Sequence, residues 1–188
     1  MERTITIRRE TPDDATPIYV VNSVAFGRRL EADIVDKLRE NHNLVLSFVA
    51  ETDGIVVGAV AFSPATITLP SRTFEALACG PVAVLPEFQR QGIGIHMLQQ
   101  AMSVCADLAA SGAGHELIFL LGHPTYYPRV GFKLATPLGV RWEGNSFDDG
   151  VCEPFMVKEL REGALARAIG TERGVMAFGP EFGGHSHD

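Results

Sequence analysis

The chain has 188 residues, 46% of them apolar, so a single domain with a packed hydrophobic core is the expected organisation. A net charge of −7 argues against general nucleic-acid binding and would mildly attract a cationic amine. No apolar run reaches the roughly 20 residues that span a bilayer, and the N-terminus has no signal-peptide core, so a cytoplasmic protein without a membrane segment is expected.

Thr4 to Arg8 alternates polar and apolar residues and reads as a first strand. Thr11-Pro12-Asp13-Asp14 then reads as a helix start. Threonine caps, proline suits the first helical position, and the acids favour the first turn, giving a helix from Pro12 to Phe26. Leu30, Ile34, Val35 and Leu38 recur at helical spacing and predict a second helix to Glu40. Leu44 to Glu51 and Ile55 to Ser63 are β-rich runs around Thr52-Asp53-Gly54, a hairpin signal. Gly58 marks a bulge, a close contact or a tolerated glycine. Pro64 to Arg72 is a loop or a strand extension.

Phe74 to Leu85 is a long fourth strand, interrupted at Gly80-Pro81 because proline brings no N–H to a ladder. From Gly92 to Ala110 a one-sided apolar stripe predicts a helix about 28 Å long at 1.5 Å per residue. Ser111 to Gly114 ends it. Ile118 to Leu121 is a fifth strand, and Lys133 to Ala135 reads as another. Thr136 to Glu153 is irregular, Phe155 to Leu160 and Val175 to Phe178 are late strands, and 183–188 is a polar, mobile tail beyond a domain covering 1–182. Cys79, Cys105 and Cys152 lack metal-ligand spacing, and no disulfide framework or metal site is expected.

The informative stretch is Gly80 to Gly94. A strand, a glycine turn and a helix start make an anion site, because the first helical N–H groups lack partners and the dipole favours negative charge. A P-loop would need Lys and Ser or Thr after the last glycine, where Ile95 and His96 stand. A dinucleotide fingerprint would need a small residue at Met97. What remains is Gln/Arg-x-x-Gly-x-Gly/Ala, present as Gln89, Gly92 and Gly94. A second block follows the fifth strand: Tyr127, three residues, then Gly131-Phe132.

These two blocks, in this order, resemble the GNAT superfamily of acetyl-CoA-dependent N-acetyltransferases. The resemblance covers roughly residues 77–135 and is silent on the acceptor. It implies an α/β (α+β) fold: a mixed, mostly antiparallel six- to seven-stranded central sheet, helices on both faces, and fourth and fifth strands splayed around a cofactor cleft. It implies acetyl-CoA as co-substrate, with no metal. Val82, Ala83 and Val84 would pair with the pantetheine arm as a strand would. The N–H groups of Gln89, Arg90, Gln91, Gly92, Ile93 and Gly94 would meet the diphosphate, with Arg90 adding charge. Many relatives carry a basic residue where Gln91 stands, so this site is less cationic.

Acetyl transfer to a primary amine by direct attack follows from the resemblance. The Val82 backbone N–H would stabilise charge on the thioester oxygen. Tyr127 would protonate the departing thiolate or hold the sulfur, with Tyr126 as the reserve. The base is open among Glu75, His123 and a water chain. The acceptor, a small-molecule or peptide amine, would meet the helices near 20–40 and the loop near 136–153. A monomer and a homodimer are both compatible. The other reading is a non-catalytic acyl-CoA-binding sensor or scaffold on the same fold.

Overall fold

The computed structural model describes residues 4–144 and 154–183. The mobile-tail expectation at 184–188 and the candidate acceptor loop over 145–153, with Cys152, lie outside them. Strands β1 (Thr6–Arg9), β2 (Leu46–Thr52), β3 (Ile55–Thr68), β4 (Thr73–Val84), β5 (Leu117–Leu121), β6 (Lys133–Leu134), β7 (Val140–Trp142), β8 (Phe155–Glu159) and β9 (Gly174–Phe178) alternate with helices α1 (Ala15–Phe26), α2 (Leu30–Glu40), α3 (Ile93–Ala110) and α4 (Ala164–Ile169). The class is mixed α/β and mostly antiparallel, as expected, with nine strands among the described residues. No helix among the described residues is long and apolar enough to cross a membrane. The chain divides into two compact units, residues 4–63 with 79–101, and 64–78 with the remainder.

In the first unit the strand order is β1-β2-β3-β4. The β2–β3 hairpin turns on Asp53 and Gly54, both left-handed at φ 51° and 76°. One face of this sheet carries Val49, Ala59, Ala61 and Ala83, which pack with Ile18 and Val21 of α1 and Val35 of α2. The opposite face carries Ala50 and Gly58, which sit directly across from each other. There α3 comes close. A Cβ on Gly58 would lie 3.3 Å from the Ala50 Cβ and 3.5 Å from the Met97 Cε. The register shifts between Ala50 and Glu51, so Gly58 marks a bulge and a close approach together.

Thr11 stands at the N-cap, as expected, and forms a capping box with Asp14. Its hydroxyl and N–H both donate to Asp14 Oδ2, at 2.9 and 2.7 Å. Asp14 also takes Arg8, so the first turn, Pro12–Asp14, is a tight 3-10 helix ahead of α1.

In the second unit β5 pairs parallel with β4 and antiparallel with β8, which also holds β6. Strand β9 pairs antiparallel with residues 65–68 of β3 and parallel with β7. Pro64 therefore falls between the last β2 partner, Phe62, and the first β9 partner, Ala65. A residue without an N–H stands where the strand changes neighbours. Strand β7 and helix α4 are both absent from the sequence reading, which left 136–153 irregular. The core of this unit gathers Ile67, Ala76, Phe119, Phe155, Val157 and Met176. The Phe119 and Phe155 rings stack at 5.5 Å.

Candidate active site

In the first unit, Val82 and the turn after it form one constellation. The Leu85 N–H donates to Val57 O at 2.9 Å, and Ala83 O lies 3.3 Å from where a Gly58 Cβ would be. Ala83 and Leu85 thus turn their backbone groups toward β3. Because a strand alternates its polar groups, those of Val82 and Val84 face the other edge. On that edge the registered pairs with β5 are Leu77–Ile118 and Ala78–Phe119. Both precede the cis Gly80–Pro81 bond.

Residues Pro86–Phe88 form a short 3-10 turn, with Phe88 buried beneath it. The Gln89 N–H donates to Pro86 O at 3.3 Å, so the run of open donors begins at Arg90, one residue later than the sequence suggests. The Gln89 side chain donates to Val84 O at 2.9 Å and ties the strand end to the turn. Gln91 does similar work, donating to Glu87 O at 3.0 Å. Two left-handed residues, Arg90 at φ 62° and Gly92 at φ 82°, then bend the chain into α3. Ile93 and Ile95 are buried and anchor the first helical turn. None of the six N–H groups from Arg90 to Ile95 finds an acceptor among the described residues. They stand at the positive end of an 18-residue helix, an arrangement suited to a multiply charged anion. The exposed Arg90 side chain makes no ion pair among the described residues and is available to the same anion.

In the second unit the tyrosine block is a packed turn. A Cβ on Gly122 would fall 2.1 Å from Tyr127 Cε2 and 2.7 Å from its Cδ2. The missing side chain is what lets the ring lie over the end of β5. The ring meets Tyr126 edge-on at 5.1 Å and Phe132 at 5.9 Å. Phe132 is buried, and its N–H donates to Tyr127 O at 3.3 Å. Gly131, at φ 88°, ends the 3-10 turn Tyr127–Val130, whose Val130 O accepts from Lys158 Nζ at 2.9 Å. Burial holds the Lys158 ammonium below the ordinary lysine range and pushes the Tyr126 phenol upward. The spacing Tyr-x-x-x-Gly-Phe thus has a mechanical reading: phenylalanine anchors, glycine turns, and the tyrosine ring is clamped.

The other candidates are more isolated. Glu75, on β4 in this unit, is exposed and has no hydrogen-bond or ion-pair partner among the described residues. His123 pairs its Nδ1 with the Thr125 hydroxyl at 3.0 Å, so its ring is engaged in its own turn. Gly122 and Lys158 carried no role in the sequence reading. The signal for Gly122 was present, a glycine at the end of an apolar strand five residues before the tyrosine. Lys158 gave none, since it meets the turn from a distant strand.

The chain is similar to known proteins. The model of the acetyltransferase (GNAT) domain matches residues 6–135. YhbS of Escherichia coli, an uncharacterised N-acetyltransferase, is 31% identical over 167 residues, which is 87% of this chain and 92% of that protein. YjhQ of Escherichia coli K12, likewise an uncharacterised N-acetyltransferase, is 36% identical over 64% of this chain, and the matched stretch spans 65% of YjhQ. The crystal structure of YhbS in complex with CoA superposes with a TM-score of 0.81, at 28% identity over 97% of this chain and 93% of that one. A GNAT acetyltransferase from Brucella melitensis, in complex with acetyl-CoA, gives 0.69 at 30% identity, over 96% and 99% of the two chains. A strand bearing a cis proline, a turn of open N–H groups and a clamped tyrosine thus occur within a matched family domain, and the chain belongs to the GNAT family of acetyltransferases.

Proposed function

We propose that this protein moves an acetyl group from acetyl-CoA to a primary amine by direct attack, in the cytoplasm. The observation that carries the reading is the run of six unpartnered N–H groups from Arg90 to Ile95 at the start of α3. A diphosphate fits that charge and donor pattern, and the two superposed relatives hold CoA and acetyl-CoA. The pantetheine arm is assigned to the open edge of β4 at Val82 to Val84, with one restriction. The Val84 carbonyl already accepts from Gln89, which leaves the Val82 C=O and the Val84 N–H as the pairing groups and keeps the Val82 N–H for the thioester oxygen.

The chemistry follows in order. A neutral amine attacks the thioester carbonyl carbon, and the Val82 N–H takes the charge that develops on the oxygen. The C–S bond breaks, and the Tyr127 hydroxyl gives its proton to the departing thiolate. The nitrogen loses a proton through water to Glu75, an exposed carboxylate without a partner among the described residues, and solvent returns a proton to Tyr127. The acceptor is a small-molecule or peptide amine.

Release of CoA from acetyl-CoA, followed over a panel of amines, tests this reading. Wild type is expected to turn over at least one amine, and Tyr127→Phe to lose about 100-fold in kcat, the low end for a positioned acid. Both should bind CoA equally by calorimetry, in preference to ATP and NAD. CoA binding without turnover across the panel would make the protein an acyl-CoA sensor, and a preference for ATP or NAD would overturn the cofactor assignment.

A further inference from the structure

In the first unit, a depression of about 530 Å³ opens between the start of α1 and the β2–β3 turn. Val21, Val56 and Leu85 form its floor, and Pro17, Val20 and Ile55 its walls. Val20 and Ile55 are 50% and 61% exposed, so apolar surface lies bare at the mouth. Helix α1 brings no charged side chain over its 12 residues.

The rim is charged, and its balance is negative. Arg8, Asp13, Asp14 and Glu51 all line it. Arg8 is consumed by its neighbours. It donates to both Asp14 oxygens at 2.6 and 2.9 Å, and twice to Glu51 Oε2 at 2.7 and 3.0 Å. Both Glu51 contacts fall on Oε2, which leaves Oε1 without a donor among the described residues. Asp13 is exposed and has no partner among them. One cation against three carboxylates leaves two net negative charges, and two of those carboxylates keep open oxygens. The start of α1 opposes this with about half a positive charge, which is smaller.

We propose that this depression is a binding site for a small alkylammonium ion. The ammonium group lies between the Asp13 carboxylate and Glu51 Oε1, and the alkyl chain covers Val20, Ile55 and the floor. An anion finds no available cation, because Arg8 is fully paired. A neutral alcohol gains the apolar contact and forgoes the charge. Each buried methylene tightens binding by about fourfold. The site is distinct from the turn at the start of α3. Leu85 and Ala83 pack on the face that carries α1, whereas Met97 of α3 meets the opposite face at Gly58. The proposal therefore stands or falls independently of acetyl transfer.

Titration of the ¹⁵N-labelled protein with n-pentylammonium chloride, beside sodium n-pentanoate and n-pentanol at matched ionic strength, tests it. Saturable shifts are expected at Asp13, Thr16, Val20, Gly54 and Ile55, with affinity about tenfold weaker for pentanol and no saturation for pentanoate. Asp13→Asn and Ile55→Ser both change exposed side chains, so the remaining spectrum reports whether the fold is kept. Each should weaken the ammonium by about fivefold or more. CoA affinity should be the same with the site saturated. The proposal is overturned if pentylammonium fails to saturate, if pentanoate or pentanol binds as tightly, if neither variant changes the affinity, or if the shifts centre on Arg90 to Ile95.

Discussion

The two turns that carry the candidate chemistry use glycine for opposite ends. At the start of α3, left-handed Gly92 shapes a backbone whose own N–H groups are the candidate functional atoms. After β5, Gly122 contributes an empty volume, into which the Tyr127 ring is pressed. The first turn is built by backbone conformation, with the Gln91 side chain turned back onto Glu87 O. The second is built by packing, and its proposed role rests on one hydroxyl whose ring is held by other rings. Damage to the first should appear in cofactor affinity, and damage to the second in stability and turnover together.

Gly122→Ala breaks the comparison hardest. Its Cβ would sit 2.1 Å from a ring atom that is clamped by Phe132 and Tyr126, so ring or strand end must move. A cost of about 1–3 kcal/mol is expected. Thermal unfolding should show it as a Tm lower by about 2–4 °C for each kcal/mol, accompanied by a loss of kcat. Gly92→Ala comes next. There the nearest atom is His96 Cε1 at an ordinary 3.7 Å, so the cost is the left-handed backbone, about 1–2 kcal/mol. The exposed turn can relax to relieve it, at the expense of its N–H geometry. CoA affinity should fall about tenfold with Tm nearly unchanged. If calorimetry and thermal unfolding give the reverse assignment, the two glycines have been read the wrong way round.

The same contrast separates what was legible in the sequence from what was not. Helix α2 runs from Leu30 to Glu40 as the periodicity predicts, because four apolar residues on one face suffice to define a helix of 11 residues. The hairpin is marked by Asp53-Gly54 and the long fourth strand by its proline. Strand β7 escaped because its alternation, Val140-Arg141-Trp142, is only three residues long and its partner, β9, lies more than thirty residues away. Helix α4 is only six residues, less than two turns, and its sole local sign is the flanking pair Gly163 and Gly170. In the candidate site, the motif spacing named Gly92, Gly94 and Tyr127. It did not show that the Gln89 N–H is spent on Pro86, because such a bond depends on how the 3-10 turn closes.

A smaller effect tests the footing of the first unit. The Arg8 guanidinium, followed by the Thr11 donors, holds the Asp14 carboxyl well below the usual carboxylate range. A depressed folded-state value gives stability that is complete above the unfolded value near ~3.9 and lost as pH falls through the folded one. Asp14→Asn should therefore cost about 1–2 kcal/mol at pH 7, with partial screening because Arg8 is one-third exposed. The difference from wild type should shrink below about pH 4, as Asp14 in the wild type takes up its proton. Denaturant unfolding at pH 7 and pH 3 measures it. A gap that stays constant would mean that Asp14 acts by shape alone.

The smallest effect sharpens the comparison most, since it concerns a side chain inside the backbone-driven turn. Gln89 has its side-chain amide on Val84 O, at the end of β4. Its work is to fix the angle between the last residues of β4 and the first open N–H. Gln89→Ala removes an exposed hydrogen bond, about 0.5–1 kcal/mol, and leaves every donor from Arg90 onward in place. If the turn depends on that angle, CoA affinity should fall about three- to fivefold while kcat at saturating acetyl-CoA stays within twofold. Gln89→Glu should weaken CoA further, because its carboxylate cannot donate to Val84 O and adds negative charge beside the diphosphate. A kcat loss with unchanged affinity would instead place Gln89 with Tyr127, among the residues whose side chains matter to the reaction itself.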